Sequence, residues 1–186
     1  MADPIEKRET ESTAFWRERV FRTIARGGML HQIIFDDSYD LWQYAQGETA
    51  GIIKRYITGH QKVLDAGCGY GALNCCLQEA QLDVDYTGID ISPDLIELAR
   101  YRYPESDKRR FYVGDLKDLF RSTKERYVYG YFDWAVVRSV EGMIKHDYGD
   151  GRWAEMLKEI KRVSKHVILI SYPETVGGEV VYEVAQ

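Results

Sequence analysis

The hydrophobic pattern of the chain changes near residue 60, where helical spacing gives way to short apolar runs. Upstream of that point Trp16, Val20 and Ile24 recur at helical spacing, and Ile52 and Ile53 belong to a second such face. Downstream, apolar runs of strand length alternate with amphipathic helical stretches. That alternation predicts an α/β protein with a doubly wound, mainly parallel sheet and helices on both of its faces.

The chain is predicted to form one domain with a helical extension at its start. Residues 1–60 are expected to form an N-terminal helical cap, with helices from Ser12 to about Arg26 and over Thr49–Ile57. These residues are too few to bury a core of their own, so the cap belongs to the same domain as residues 61–186. Near the end, Gly177 and Gly178 favour a turn into one antiparallel edge strand.

A glycine-rich turn follows the first predicted strand, Lys62–Ala66, and precedes a predicted helix. Such a turn brings backbone N–H groups close to a ligand at a helix N-terminus. Its glycines are spaced G-x-G-x-G, whereas the dinucleotide fingerprint is G-x-G-x-x-G, which disfavours an NAD-dependent reductase. Asp65, two residues before Gly67, suits a ligand that carries an ammonium group better than a pyrophosphate.

Four segments in order resemble the class I S-adenosylmethionine-dependent methyltransferases. They are Val63–Gly71, Tyr86–Ser92, Phe111–Leu116 and Phe132–Val137. The resemblance covers roughly residues 60 to 175, and it implies a Rossmann-like fold with S-adenosyl-L-methionine as the cofactor. That family usually has a further helix and two more strands after the fifth strand. About a dozen residues follow Pro173, so we expect a shortened C-terminal end.

The resemblance implies a set of cofactor-binding residues at the ends of the predicted strands. Asp90 would accept hydrogen bonds from the ribose diol, Asp115 from the adenine amino group, and Asp65 from the methionine amino group. The remaining predicted contacts are the backbone of Gly67, Cys68 and Gly69, the apolar Ile91 and Leu116, and Arg138. Aspartates at strand ends also cap helices and turns, and Arg138 is equally compatible with a surface ion pair.

The candidate catalytic residues are Glu141 and His146, which follow the fourth strand in a predicted loop. Either side chain can take a proton from a nucleophile, although a histidine in a loop is more often simply solvated. Upstream, Tyr39, Trp42 and Tyr44 form an aromatic group, and in the family such segments often fold over the cofactor as a lid. Plain packing is the alternative for these three rings.

Composition excludes several other classes of protein. The 186 residues carry a formal net charge of −5, which gives no electrostatic reason to expect a nucleic-acid partner. Three cysteines, two of them adjacent, form neither a disulfide framework nor a zinc spacing, so we expect no metal. The first residues lack an apolar signal region, and no run is long enough to span a bilayer. We therefore expect a cytoplasmic protein.

The segment after the fourth strand lacks the motifs of several known methyltransferase classes, and this limits the kinds of methyl acceptor that we expect. Val137–Gly142 contains neither the prolines that follow this strand in methyltransferases of exocyclic base amines nor a Pro-Cys nucleophile. An arginine methyltransferase would need two glutamates here, and only Glu141 fits. We predict methyl transfer to an oxygen or nitrogen of a small molecule. An RNA or protein methyltransferase and a non-catalytic cofactor-binding subunit stay as alternatives.

Overall fold

The computed structural model describes residues 14, 17–18, 21–22, 39–119, 127–171 and 181–185. The residues that predict the first helix, Trp16, Val20 and Ile24, lie outside this description. So do the side chains of the predicted lid residues Tyr39, Trp42 and Tyr44, although all three residues lie in a described helix.

Strands and helices alternate through the described part of the chain. The strands are β1 (Lys62–Ala66), β2 (Asp85–Asp90), β3 (Arg109–Val113), β4 (Phe132–Arg138), β5 (Ser164–Ser171) and β6 (Val181–Ala185). The helices are α1 (Tyr39–Tyr56), α2 (Leu73–Glu79), α3 (Pro93–Arg102), α4 (Val140–Tyr148) and α5 (Asp150–Val163), with a 3₁₀ turn at Leu116–Asp118.

The six strands form one sheet in the order β3-β2-β1-β4-β5-β6. All neighbouring pairs are parallel except β5 and β6, which are antiparallel. The predicted fold class, including the antiparallel edge strand near the end, is confirmed. The strand order reverses between β1 and β4, and ligands of such sheets bind beyond the carboxyl ends of the strands at that point.

Side chains along β1 alternate between two cores, one on each face of the sheet. Val63 packs in a cluster with residues of α1, α2 and α3, including Ile53, Leu73 and Ile96. Leu64 packs in a second cluster with residues of α5 such as Ile160. The helices therefore cover both faces, as the alternation of strands and helices predicts. Among the described residues, no helix combines the length and the apolar character needed to cross a bilayer.

Helix α1 is longer than the sequence pattern predicts. The sequence predicts a helix over Thr49–Ile57, but one helix runs from Tyr39 to Tyr56. Ala45, Thr49 and Ile53 are fully buried, and their spacing of four residues makes one continuous face against the sheet domain. Burial of that face outweighs the weak helix propensity of the residues before Thr49.

Local signals set the boundaries of the two helices that flank the site. Ser92 caps α3, because its hydroxyl accepts a hydrogen bond from the Leu95 backbone N–H at 3.3 Å, and Pro93 occupies the first turn. Helix α5 buries the predicted inward face, which includes Trp153 and Ile160. Its burial fixes the position of the helix N-terminus beside the carboxyl end of the sheet.

Candidate functional site

The carboxyl ends of β1, β2 and β4 meet where the strand order reverses. The sheet register places Ala66 of β1 beside Ile89 of β2 and Val137 of β4. The residues that follow or adjoin these three positions include Asp65, Asp90 and Arg138. The structure therefore brings together three predicted site residues that lie up to 73 positions apart (138 − 65) in the sequence.

The turn after β1 has a backbone that favours glycine. Gly67, Gly69 and Gly71 have φ angles of 76°, 53° and 80°, in the left-handed region that side chains disfavour. A Cβ atom added to Gly67 would lie 2.4 Å from Cγ2 of Val140, the first residue of α4. Space as well as backbone conformation therefore requires glycine at this position.

Asp90, at the end of the neighbouring strand β2, accepts a hydrogen bond from the backbone of the turn. Its Oδ2 accepts a hydrogen bond from the Gly69 N–H at 2.9 Å, and its Oδ1 accepts one from the Ser92 N–H at 2.9 Å. Burial raises the pKa of the Asp90 carboxyl above its ordinary value, and hydrogen bonds from the backbone of Ser92, Gly69 and Ile91 oppose that rise. A carboxylate offers about four acceptor positions, so these contacts orient Asp90 without using all of them.

Asp65 is a buried carboxyl at the end of β1, with only 1% of its surface exposed. Burial raises its pKa from 3.8 to about 6, while the nearby charge of Arg138 and a hydrogen bond from Tyr86 lower it. The Tyr86 hydroxyl donates that bond to Oδ2 of Asp65 at 2.7 Å. Sequence reasoning missed Tyr86, although it lies two residues before Gly88 on the strand that adjoins β1.

Arg138 connects the end of β4 to the N-terminal part of the chain. Its Nη1 lies 3.3 Å from Oε1 of Gln46 on α1 and 3.4 Å from the sulfur of Cys76 on α2. The Cys76 thiol also donates a hydrogen bond to Oε1 of Gln46 at 2.8 Å. Gln46, which sequence reasoning missed, thus contacts both the guanidinium and the buried thiol.

Asp115 lies beyond β3 and caps the 3₁₀ turn. Its Oδ1 accepts a hydrogen bond from the Lys117 N–H at 2.9 Å, and its Oδ2 lies 3.2 Å from Nη2 of Arg152 on α5. Leu116 is buried, and Ile91, next to Asp90, is partly exposed. The capping role that the sequence left open for Asp115 is therefore present, together with an ion pair to Arg152 that sequence reasoning missed.

Cys68 lies within the turn but lacks the character of a nucleophile. Its side chain is buried, and burial together with the negative charges of Asp65 and Asp90 raises the pKa of its thiol well above the ordinary value. Burial also raises the pKa of Cys76 to about 11. Among the described residues, no group of three or more histidine, cysteine or acidic side chains is arranged to hold a metal ion.

Glu141 and His146 lie on helix α4, where the sequence predicts a loop. Glu141 is in the first turn, beside the residue that contacts Gly67, and its Oε1 pairs with Lys145 Nζ at 2.7 Å. His146 is exposed and lies in the last turn of the same helix. Of the two candidate bases, only Glu141 is adjacent to the residue in contact with the glycine turn.

An open, mainly parallel sheet with a glycine turn and a strand-end acid at its reversal point defines the doubly wound nucleotide-binding class of proteins. Within that class, the sequence profile of the methyltransferase domain family matches residues 63–166, more than half of the chain. The chain therefore belongs to the methyltransferase domain family, whose members use S-adenosylmethionine, and the resemblance seen in the sequence is confirmed.

Known proteins similar to this chain include methyltransferases of several kinds. Magnesium-protoporphyrin O-methyltransferase of Rhodobacter capsulatus is 32% identical over 118 residues, which are 61% of this chain and 46% of that protein. The chain spans about half or less of the length of the curated relatives it matches.

Solved structures that share the fold include two methyltransferases. Magnesium protoporphyrin IX methyltransferase from Synechocystis PCC 6803 with bound SAM is 18% identical, with a TM-score of 0.64 over 93% of this chain and 78% of that one. Phosphoethanolamine N-methyltransferase 1 from Haemonchus contortus is 16% identical, with a TM-score of 0.65 over 89% of this chain and 32% of that one.

Proposed function

We propose that this protein is an S-adenosylmethionine-dependent methyltransferase that acts on an oxygen or nitrogen of a small molecule. The observation that carries the proposal is the contact between the glycine turn and Asp90, in which Gly69 N–H donates to Oδ2 at 2.9 Å. That contact holds a carboxylate with open acceptor positions beside a glycine backbone. The carboxylate can accept hydrogen bonds from ribose hydroxyls, and the glycine leaves room for the rest of the ligand to approach the backbone closely.

The residues around Asp90 fit the nucleoside part of the cofactor. We assign the ribose hydroxyls to the acceptor positions of Asp90 that its backbone contacts leave open. Ile91 and Leu116 supply apolar surface for the faces of the adenine, and Asp115 supplies an acceptor for its amino group. The backbone of Gly67, Cys68 and Gly69 lines the path from the ribose toward the methionine part.

Asp65 and Arg138 fit the charged end of the cofactor. A buried carboxyl with a pKa of about 6 is mostly ionised at pH 7, and a ligand ammonium group nearby would offset part of the cost of that buried charge. Tyr86 fixes the carboxylate by its 2.7 Å hydrogen bond. Arg138 supplies a positive charge at the same strand ends, which suits the carboxylate of the methionine part.

When bound, the cofactor supplies an activated methyl group on a sulfonium. The residues of the chain then have to bind and orient the two reactants and exclude water, and these effects account for most of the catalysis such a transfer needs. We propose that Glu141 or His146 removes a proton from the acceptor. Glu141 is favoured by its place beside Val140, which contacts the glycine turn.

A small molecule is the proposed acceptor, and nucleic acid is not expected. The net charge of −5 disfavours binding to a polyanion. Residues 1–60 are proposed to form a helical cap in one domain with residues 61–186, with Tyr39, Trp42 and Tyr44 in a lid. In support, Ala50, Ile52, Ile53 and Ile57 share a core with α2 and the sheet. The named similar proteins methylate a porphyrin and an ethanolamine phosphate. This supports a small molecule as the acceptor but does not single out one chemical compound.

Calorimetry tests the cofactor first. The wild-type chain is titrated with S-adenosylhomocysteine and, separately, with NAD. We expect binding of the first alone, and we expect Asp90→Asn to weaken it by at least tenfold because an amide is a poorer acceptor for two hydroxyls. Asp133→Asn is the matched control. Asp133 lies at the amino end of β4, whereas Asp90 lies at the carboxyl end of β2, and Asp133 also accepts a backbone hydrogen bond, from Lys62 at 2.9 Å.

Methyl transfer is then measured with labelled S-adenosylmethionine and separate pools of small metabolites, RNA and proteins. Label in the small-molecule pool supports the proposal, and label confined to RNA or protein contradicts the acceptor class. Cofactor binding without transfer to any pool favours the non-catalytic subunit. An unchanged affinity in Asp90→Asn would refute the assignment of the ribose site.

A further inference from the structure

A cavity of about 210 Å³ lies at the amino ends of β2 and β3, beside helix α2. Its apolar wall consists of Leu77 on α2 together with Leu82 and Val84, which precede β2. The proposed cofactor crevice lies at the carboxyl ends of the strands, and the length of β2 separates its two ends by about 16 Å. The cavity therefore does not overlap the place at which Asp65 and Asp90 meet the glycine turn.

Arg109, the first residue of β3, lines this cavity with a guanidinium that pairs with no carboxylate in the described part of the chain. Its Nε is buried and has no hydrogen-bond partner there. The guanidinium carbon lies 5.8 Å from the centre of the Tyr103 ring, a contact that orients the group but supplies no opposite charge. A buried donor without an acceptor destabilises the folded state, so a ligand that supplies an acceptor would be bound favourably.

The backbone holds Arg109 in a fixed place. Its N–H donates a hydrogen bond to the Ser106 carbonyl at 3.1 Å, and its carbonyl accepts one from the Ser106 N–H at 2.9 Å. Within the sheet, Arg109 pairs in register with Tyr86 of β2. The fold therefore positions this cation before any ligand arrives, which reduces the entropy that binding would cost.

The two other charged side chains of the lining neutralise each other. Nζ of Lys108 forms an ion pair with Oδ2 of Asp83, and that same oxygen lies 3.7 Å from Nδ1 of His60. Asp83 is thus engaged with cationic partners outside the guanidinium. Among the charged residues that line the cavity, Arg109 is left to contribute the uncompensated positive charge.

We propose that this cavity binds a small organic carboxylate, with its carboxylate on the Arg109 guanidinium and a short apolar tail against Leu77, Leu82 and Val84. A guanidinium presents a planar pair of N–H donors that matches the two oxygens of a carboxylate. The apolar wall disfavours a strongly hydrated anion such as inorganic phosphate, and the volume limits the tail to a few carbon atoms. The inference is independent of the proposed function.

Arg110 provides the matched control, because it is the next residue of β3 and carries the same charge. Side chains alternate along a strand. Phe111 belongs to the same core cluster as Val84, whereas Tyr112 packs against the cluster on the other face of the sheet. Arg110 therefore lies on the face opposite to the cavity, and its replacement changes the net charge of the protein without changing the proposed site.

The test titrates the full chain with 3-methylbutanoate, with acetate, which lacks the tail, and with 3-methylbutanamide, which has the tail but no charge. Proton–nitrogen NMR in chloride buffer at constant ionic strength follows the Arg109 Nε–H, which is assigned by its absence in Arg109→Lys. The backbone N–H of Val84 reports binding in Arg109→Gln, Arg109→Lys and Arg110→Gln. Thermal unfolding checks that each variant is folded.

We expect 3-methylbutanoate to bind the wild type and Arg110→Gln equally well and to shift the Nε–H signal. Each buried methylene raises affinity about fourfold, so acetate, with three fewer carbon atoms, should bind about tenfold or more weakly. Arg109→Gln should lose about tenfold or more in affinity, and Arg109→Lys about threefold or more because an ammonium lacks the planar fork. If Arg109→Gln does not fold, Arg109→Lys carries the same test.

Several results would overturn the inference. They are an Nε–H signal that no carboxylate shifts, equal binding of the carboxylate and the amide, or equal losses of affinity in the Arg109 and Arg110 variants, which would indicate a nonspecific effect of charge. Displacement of 3-methylbutanoate by S-adenosylhomocysteine would also overturn it, by placing the carboxylate in the cofactor crevice. A chain that binds 3-methylbutanoate but no S-adenosylhomocysteine would refute the proposed function and support this inference.

Discussion

Replacement of Asp65 by asparagine should stabilise the cofactor-free protein. In the folded chain burial raises the pKa of Asp65 from 3.8 to about 6, whereas the unfolded chain has the ordinary value. Between these values the folded state binds more protons than the unfolded state, so the free energy of unfolding falls as the pH rises. The difference of about 2.2 units (6 − 3.8) corresponds to about 3 kcal/mol at pH 7.

Asparagine has nearly the same shape, cannot ionise and can still accept the hydrogen bond from Tyr86. The gain from Asp65→Asn should therefore be about 3 kcal/mol at pH 7, roughly half of that at pH 5 and smaller still at pH 4, since protonated aspartic acid resembles the amide. The pKa of about 6 already includes the effect of the Arg138 charge on the Asp65 carboxylate, so that effect is not counted a second time. The same variant should bind S-adenosylhomocysteine more weakly.

Urea unfolding at the three pH values measures the gain, with the cofactor absent. The matched control is Asp133→Asn. Burial raises the pKa of Asp133, but hydrogen bonds from Lys165 and the Lys62 backbone lower it more, so the net direction is downward. The control should therefore lose stability at pH 7. A loss of stability in Asp65→Asn at pH 7, or a gain that does not change with pH, would refute the reasoning.

Two further variants probe the turn and its acid. Gly67→Ala should destabilise the protein by more than about 2 kcal/mol, because the φ angle of residue 67 is positive and the new Cβ would lie 2.4 Å from Cγ2 of Val140. In a double-mutant cycle, Val140→Ala should recover part of that loss. Additive losses of stability would contradict the contact between the two residues. Tyr86→Phe removes a hydrogen bond that lowers the pKa of Asp65, so carboxyl-carbon NMR should find that pKa above about 6; an unchanged or lower value would argue against the bond.

Much of the sheet could be predicted because its signals are local. The strands are apolar runs of a characteristic length, and the acids near their ends, Asp65 and Asp90, lie two residues before Gly67 and before the helix cap Ser92. Helix α4 was missed since Glu141, Gly142 and His146 give it a polar, glycine-containing sequence that is typical of a loop. Its first residue, Val140, lies close to Gly67 in the turn after β1, a long-range proximity that no local pattern shows.

The partners of the site residues could not be predicted, because they arise from packing between distant elements. Gln46 lies 92 positions before Arg138, and Arg152 lies 37 positions after Asp115. Tyr86 was the most accessible of the missed residues, since its strand was correctly predicted and only its pairing with Asp65 required the register of the sheet.

The contact between Gly67 and Val140 means that the glycine turn and the start of helix α4 cannot be changed independently of each other. The first forms one wall of the proposed cofactor crevice, and the second begins the helix on which the proposed acceptor-side groups lie. A bulkier residue at position 140 would push into the turn after β1, so we expect changes that alter acceptor preference to be tolerated only after the first residue of α4. A redesign of this protein for new acceptors should accordingly keep Val140 and vary the helix from Glu141 onward.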